Sequence, residues 1–421
     1  MVVAARRCVF VCGLWLAACG ETAPVTLVDG GTTDASSTPD AGAVDCSGRP
    51  GEGPGTRGEI AGALDPARQR ILVFGGNTAA PVMCMPMYEY TDEVWAFHLD
   101  CGSWERVSPG GEAGPGVRAR VATALDTQRQ RVLVFGGRTR MGFGSYENHA
   151  DVWAYDLATD AWAAVPTTGT GPSARSSAVT AYDAARDRLL VFGGNTSTSG
   201  LTLTGTGDLF ALDLATGAWS EIVAEGPSPR LYHAGAVVGD ELVVFGGTPN
   251  FDGPFLNDTW ALDMTTDQWR SVNDGLSAGA PEPRFGHALV ADPAHGRVIV
   301  LAGHDGTAMG NRNDAWALTL ATSTWSALHD GDTLNGVAAG RCDFPADFTL
   351  PEEGSPERRY GFATADDGAR AFVIGGKTDC GNVNDVWSLD FEGGAWSMLR
   401  PTTGGEACNR SGRVGCSSLC F

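Results

Sequence analysis

Internal repetition constrains this chain more than any other feature. A run of apolar residues ending in two glycines recurs as ILVFGG at 71–76, VLVFGG at 132–137, LLVFGG at 189–194 and LVVFGG at 242–247. It continues as VIVLAG at 298–303 and AFVIGG at 371–376. After each comes an acid with an aromatic two residues on: Glu93/Trp95, Asp151/Trp153, Asp208/Phe210, Asp258/Trp260, Asp314/Trp316 and Asp385/Trp387. Nine residues beyond each aromatic stands a tryptophan: Trp104, Trp162, Trp219, Trp269, Trp325 and Trp396. Every unit opens on an arginine, namely Arg57, Arg118, Arg175, Arg230, Arg284 and Arg359, with a mean period of about 60 residues. Self-similarity at a fixed period signals an array or a propeller.

The apolar runs before Gly-Gly show no alternation, as expected of strands buried on both faces. The strands after each arginine (IAGAL, VATAL, AVTAY, HAGAV, HALVA, FATAD) are rich in small residues, which suit innermost strands converging on an axis. Together the glycine doublet, acid–x–aromatic and spaced tryptophan resemble the kelch repeat, over roughly residues 57–396. The resemblance implies an all-β fold, a six-bladed kelch-type β-propeller with four antiparallel strands per blade. In unit five Ala302 replaces the first glycine while Gly303 is kept, so the second glycine is expected to carry the positive φ.

Loop lengths orient the ring. From arginine to second glycine takes 17 or 19 residues, and aromatic to tryptophan always nine, so two connections per unit are short. Between second glycine and acid lie 16, 13, 13, 10, 10 and 8 residues; between closing tryptophan and next arginine lie 13, 12, 10, 14 and 33. Strand alternation puts these two variable families on the same face. One face is trimmed and the other decorated, and the decorated one is expected to bind. Each unit is self-contained, so no strand is borrowed at ring closure.

The N-terminus reads as an export signal. Arg6 and Arg7 precede an eleven-residue apolar run, too short to span a bilayer as a helix. The run ends in Leu16-Ala17-Ala18-Cys19, which resembles a bacterial lipobox; ordinary secretion is the plainer alternative. The expected division is a signal at 1–18, lipidation at Cys19, a flexible Thr/Ser/Asp/Gly-rich tether at 19–45, the propeller at 46–400 and a Cys-rich tail at 401–421. The expected location is the bacterial cell envelope, favouring the outer membrane, held by the N-terminal lipid and facing either the periplasm or the outside. A net charge of −21, with one lysine against 28 arginines, excludes a general nucleic-acid binder. Beyond Cys8, Cys12 and Cys19, eight cysteines remain, an even number that suits disulfides in an exported chain. The expected pairs are Cys46 with a cysteine of the tail (Cys408, Cys416 or Cys420) and Cys342 with Cys380; zinc in the tail cluster is the minor reading.

The six copies supply an internal comparison. Residues present in every unit serve the fold, so the six arginines and six acids read as structural. Residues confined to one unit are ligand candidates: Tyr88, Tyr90, Arg138, Arg140, Tyr146, His149, Phe251, Asn257, His304, Arg312, Arg341 and Lys377. Taken singly, each also suits a plain solvated loop. All eleven tryptophans beyond the signal belong to the repeat, so a sugar platform would have to use Tyr or Phe. Tyr232-His233 resembles the copper-ligating pair of galactose oxidase, but His233 and His287 share a repeat position with Ile60, Val121, Ala178 and Phe362 and read as structural. No metal spacing, P-loop or nucleophile elbow is present, so no catalytic residue, metal or cofactor is assigned. The favoured reading is a non-enzymatic, lipid-anchored scaffold for a protein or glycan partner. Two alternatives stay open: an exported carbohydrate-active enzyme similar to sialic acid mutarotases, and a structural envelope protein without a discrete ligand.

Overall fold

The computed structural model describes residues 46, 51–79, 89–111, 113–142, 144–250, 252–277, 279–306, 310–334, 349–350, 354–378 and 381–403. The signal, lipobox, tether and the tail from residue 404 lie outside them, as do Tyr88, Phe251, Arg341, Cys342, Cys380 and Cys408.

Six four-stranded antiparallel blades follow one another along the chain. Blade one is Ala61–Asp65, Arg70–Phe74, Val94–His98 and Ser103–Ser108. Blade six is Ala363–Asp366, Arg370–Thr378, Gly381–Asp390 and Trp396–Arg400. A single 3-10 turn, Pro293–His295, interrupts this all-β pattern among the described residues. No described helix is long and apolar enough to cross a membrane.

Six apolar cores lie between neighbouring blades, and they explain the unalternated runs. Ile71 and Val73 pack with Phe372 and Ile374 of blade six, whereas Leu72 and Phe74 pack with Val132 and Val134 of blade two. Each strand thus buries both faces. The closing tryptophan joins the same interfaces: Trp162 meets Phe74 at 5.5 Å, Trp269 meets Phe192 at 5.0 Å and Trp325 meets Phe245 at 5.3 Å. A small residue four before each arginine lets the chain cross that ring. A Cβ at Gly53 would lie 2.5 Å from Trp104, and one at Gly226 would lie 2.5 Å from Trp269.

The repeat arginines and acids are architectural. Arg230 donates to the Gly246 carbonyl at 3.1 Å and to both Asp258 oxygens at 2.9 Å, and Trp260 Nε1 donates to the same acid at 2.8 Å. Arginine and acid are paired in every unit, and where the aromatic is tryptophan its N–H binds the same acid, as Trp260 does; unit three, with Phe210, forms the pair without it. Arg57–Glu93, Arg118–Asp151, Arg175–Asp208, Arg284–Asp314 and Arg359–Asp385 repeat the pairing.

Both glycines of the doublet have positive φ, which widens the expectation drawn from unit five. The first sits at 57–64°, the ordinary left-handed region, where Ala302 sits at 53°. The second sits at 89–113°, where a side chain is strained, and at Gly247 a Cβ would lie 2.7 Å from the Leu231 carbonyl oxygen. Gly246→Ala is expected to cost about 1–2 kcal/mol and Gly247→Ala about 3 kcal/mol or more, read from urea midpoints at constant m. Equal costs would contradict this division.

Ring closure uses no shared strand. Asn384 Nδ2 donates to the Pro54 carbonyl at 2.7 Å, Asn382 Nδ2 to the carbonyls of Asn77 and Ala79, and Arg400 to that of Gly102. The chain before Arg57 runs along this seam from the trimmed face. Cys46 accordingly bonds Cys101, in the trimmed-face turn of blade one, with Cα atoms 5.8 Å apart. This corrects the expected pairing of Cys46 with Cys408 or its neighbours in the tail. The entering chain is tied to its own first blade.

His233 and His287 are buried against Phe192 and Phe245. Burial, reinforced by Arg284, pushes the His287 imidazole down to about 3, and burial beside Arg230 holds His233 well below its ordinary value. Both stay neutral in the fold but take up protons in the unfolded chain below about pH 6.5. Their contribution is complete above that pH and is lost progressively as pH falls towards the folded values. For His287 alone the loss between pH 6.5 and 5 is about 2 kcal/mol. His287→Phe, which places there the residue found at Phe362, is expected to flatten stability measured across that window. An unchanged slope would count against this origin.

Candidate functional site

Six residues, each two places after a repeat arginine, form a closed ring around the axis. Glu59, Arg120, Ser177, Tyr232, Gly286 and Gly361 all have φ of 56–62°. Each donates its backbone N–H to the carbonyl of its counterpart in the preceding blade, at 2.6–3.4 Å, with Glu59 closing onto Gly361. This position demands a backbone shape and leaves the side chain free to vary.

Towards the decorated-face loops opens a cavity of about 460 Å³. Arg120, Arg138 and Tyr146 of blade two form one wall. Tyr232, Phe255, Phe285, His304 and Tyr360, from blades four to six, form the other, and Asp252 adds an exposed carboxylate. Phe255 and Phe285 stack at 5.3 Å, and His304 lies 4.9 Å from Phe285. Arg138 is carried by a hairpin, Arg138–Gly142 with Ser145–Asn148, that the longer blade-two loop can form.

Behind the charged wall sits Glu59, buried at 5% exposure. Its Oε1 accepts from Lys377 Nζ at 2.6 Å and from Arg120 at 2.7 Å, and Arg138 lies 3.7 Å from Oε2. Burial pushes this carboxyl upward, but Arg120, Lys377 and Arg138 outweigh it and hold Glu59 well below the usual carboxylate range. Each cation also faces a tyrosine: Arg138 lies 3.9 Å from the Tyr146 ring centre, Arg120 4.7 Å from Tyr232 and Lys377 5.7 Å from Tyr360. Tyr90 adjoins the cluster, where burial and the Glu59 charge raise its phenol.

Of the sequence candidates, Tyr90, Arg138, Tyr146, His304 and Lys377 thus come together here. Among the described residues the other candidates, Arg140, His149, Asn257 and Arg312, do not line the cavity. Asn257 Nδ2 bonds the Gly275 and Pro281 carbonyls and secures a loop, as Asn313 and Asn384 do in blades five and six. Arg312 is paired with Asp305, His149 bonds Thr139 and Arg140 donates to the Gly142 carbonyl. Glu59 and Arg120 escaped sequence reasoning, although they stand at a fixed repeat position whose residue varies between copies. Among the described residues, no group of three or more His, Cys, Asp or Glu is placed to hold a metal ion.

The domain family described as the KLHDC2/KLHL20/DRC7 Kelch-repeats domain matches residues 40–185 and 130–346. The chain belongs to the kelch-repeat family. It is similar to acyl-CoA-binding domain-containing protein 5 of Arabidopsis thaliana, 32% identical over 242 residues, 57% of this chain and 34% of that protein. It is also similar to the leucine-zipper-like transcriptional regulator 1 homolog of Drosophila melanogaster, 28% identical over 68% of this chain and 27% of that protein. Kelch domain-containing protein 2 of Bos taurus is 26% identical over 61% of this chain and 66% of its own length. The chain thus spans about a third or less of the first two relatives. Kelch units are what it shares with such proteins, whereas the cavity's cations stand at positions that vary between the units of this kelch propeller.

Proposed function

We propose that this kelch propeller is a non-enzymatic, lipid-anchored binding scaffold of the cell envelope, presenting its decorated face to a protein or glycan partner. The observation that carries this reading is the cavity on that face. It gathers cations and aromatic rings from four blades in a chain whose net charge is −21. The blade framework fixes these side chains, so binding would cost little ordering entropy. Large apolar side chains exposed on the same face support a partner there: Met141, Leu201 and Leu276 are 64%, 84% and 86% exposed. The sequence Leu16-Ala17-Ala18-Cys19 supports the anchor.

Proton-transfer chemistry is less well supported. A general base works best with a pKa near the operating pH. Glu59 is held well below that, enclosed by three cations.

The test is a thermal-shift screen of the full chain against protein and glycan fractions of the envelope. Stabilisation is expected, lost with Met141→Asp plus Leu201→Asp on the decorated face and kept with Ala184→Asp on the trimmed face. Loss through the trimmed face instead would overturn the reading. For the anchor, Cys19→Ser is expected to release the chain from the membrane fraction; retention there would overturn lipidation at Cys19.

A further inference from the structure

We infer that the Cys46–Cys101 disulfide is a redox-sensitive clasp on the seam between blades six and one: a thiol reductant that opens it frees the entering segment and loosens that seam alone. The other five seams are each crossed by a peptide connection whose two ends are fixed in folded blades. Residues 223–229, between Trp219–Ile222 of blade three and Arg230 of blade four, are one example. At the sixth seam the entering residues 51–56 take the corresponding place, and Gly53 passes Trp104 as Gly226 passes Trp269. Among the described residues no blade precedes this segment, so its upstream end has no folded neighbour in the chain. The bond to Cys101 supplies that fixed end, across a sequence separation of 55 residues. A crosslink closing a long loop restricts the chain where hydrogen bonds alone restrict it little.

Both ends of the propeller meet at the turn that carries Cys101. Arg400, in the last strand of blade six, donates to the Gly102 carbonyl at 3.2 Å and also to the Gly51 carbonyl. Asn384 donates to the Pro54 carbonyl at 2.7 Å, while its Oδ1 accepts from the Thr403 N–H at 2.9 Å. The pinned segment leads directly into the seam's backbone bonds: Arg57 N–H to the Val383 carbonyl at 3.2 Å, Glu59 N–H to that of Gly361 at 2.6 Å, and Gly376 N–H to that of Arg57 at 2.9 Å. Glu59 and Lys377 join across the same seam, so the clasp also steadies the back of the cavity. Cys46 is exposed and Cys101 half-buried, which lets a thiolate reach the bond. One thiolate of a dithiol attacks the Cys46 sulfur and Cys101 leaves as a thiolate. The second thiolate then displaces Cys46 from the mixed disulfide. Two electrons and two protons pass to the cysteines, and the dithiol becomes a cyclic disulfide.

The test is amide hydrogen exchange on the full chain, oxidised and after graded dithiothreitol, with opened cysteines mapped by alkylation. Opening the 46–101 bond is expected to speed exchange at Arg57, Glu59 and Gly376 roughly tenfold or more. Arg175, Ser177 and Gly137, their counterparts between blades two and three, are expected to keep their rates. Cys46→Ser with Cys101→Ser is expected to show the faster rates without reductant, and reductant is expected to add nothing further at those amides. The comparison on the unmodified chain does not depend on that variant folding. Unchanged rates at Arg57 and Gly376 with the bond shown open would overturn the inference, as would an equal rise at both seams. A rise under reductant that the folded double variant lacks would assign the effect to other cysteines and overturn it too.

Discussion

Arg284→Ala is expected to destabilise the propeller by about 3–5 kcal/mol and to lower its melting temperature by roughly 5–10 °C. Arg284 and Asp314 have side chains 1% and 7% exposed, joined by two hydrogen bonds of 2.6 and 2.9 Å. The guanidinium also satisfies the Ala302 and Glu282 carbonyls. Removing it leaves a buried carboxylate and two backbone acceptors without partners, a larger loss than the pair's own net value. The equivalent change in blade two provides the control. Asp151 is 43% exposed, so water can take over from Arg118, and Arg118→Ala is expected to cost about 1–2 kcal/mol. Denaturant unfolding of both variants measures the difference. Equal costs would mean that burial of the acid does not control this motif.

Glu59→Ala is expected to have an effect of similar size, about 3–5 kcal/mol, for the opposite charge reason. It would remove the carboxylate shared by Lys377, Arg120 and Arg138, whose side chains are 9%, 12% and 3% exposed. The folded carboxyl lies below its ordinary value of 4.5. Its contribution is therefore complete above about pH 4.5 and is lost as pH falls through the folded value. The variant is expected to be less stable than the unmodified chain at pH 7, with the gap narrowing in strong acid. A constant gap from pH 7 to pH 2 would contradict an ionic role. Because Glu59 also braces the seam between blades six and one, the loss should appear in urea unfolding.

The framework was legible because its requirements are written in side chains. A strand packed on both faces must read ILVF or LVVF, and an arginine that bonds an acid and a carbonyl must recur wherever that corner recurs. Loop lengths alone separated the two faces, and the cavity opens on the decorated one. The axial ring was not legible. It constrains φ and an N–H, so Glu59, Arg120 and Tyr232 share a position with Ser177, Gly286 and Gly361 and show no common chemistry. The signal was this variation, at a position where the backbone is fixed.

Asn257 misled for the converse reason. It reads as peculiar to one unit, while Asn313 and Asn384 do the same work one residue before the acid in blades five and six. Ring closure hid the disulfide. Joining two chain ends suggests a bond between the termini, but the entering segment must first pass Trp104 and Arg400, which brings Cys46 to Cys101. Sequence separation carried no hint of that route.

The measurement that bears most directly on the binding-scaffold reading is site-specific photocrosslinking in the intact envelope. A benzophenone side chain would replace Leu201 or Met141 on the decorated face, and Ala184 or Ala215 in exposed trimmed-face turns. Discrete adducts are expected from the first pair and none from the second. Adducts from the trimmed-face positions, with none from Leu201 or Met141, would contradict the assignment of the decorated face as the one that binds.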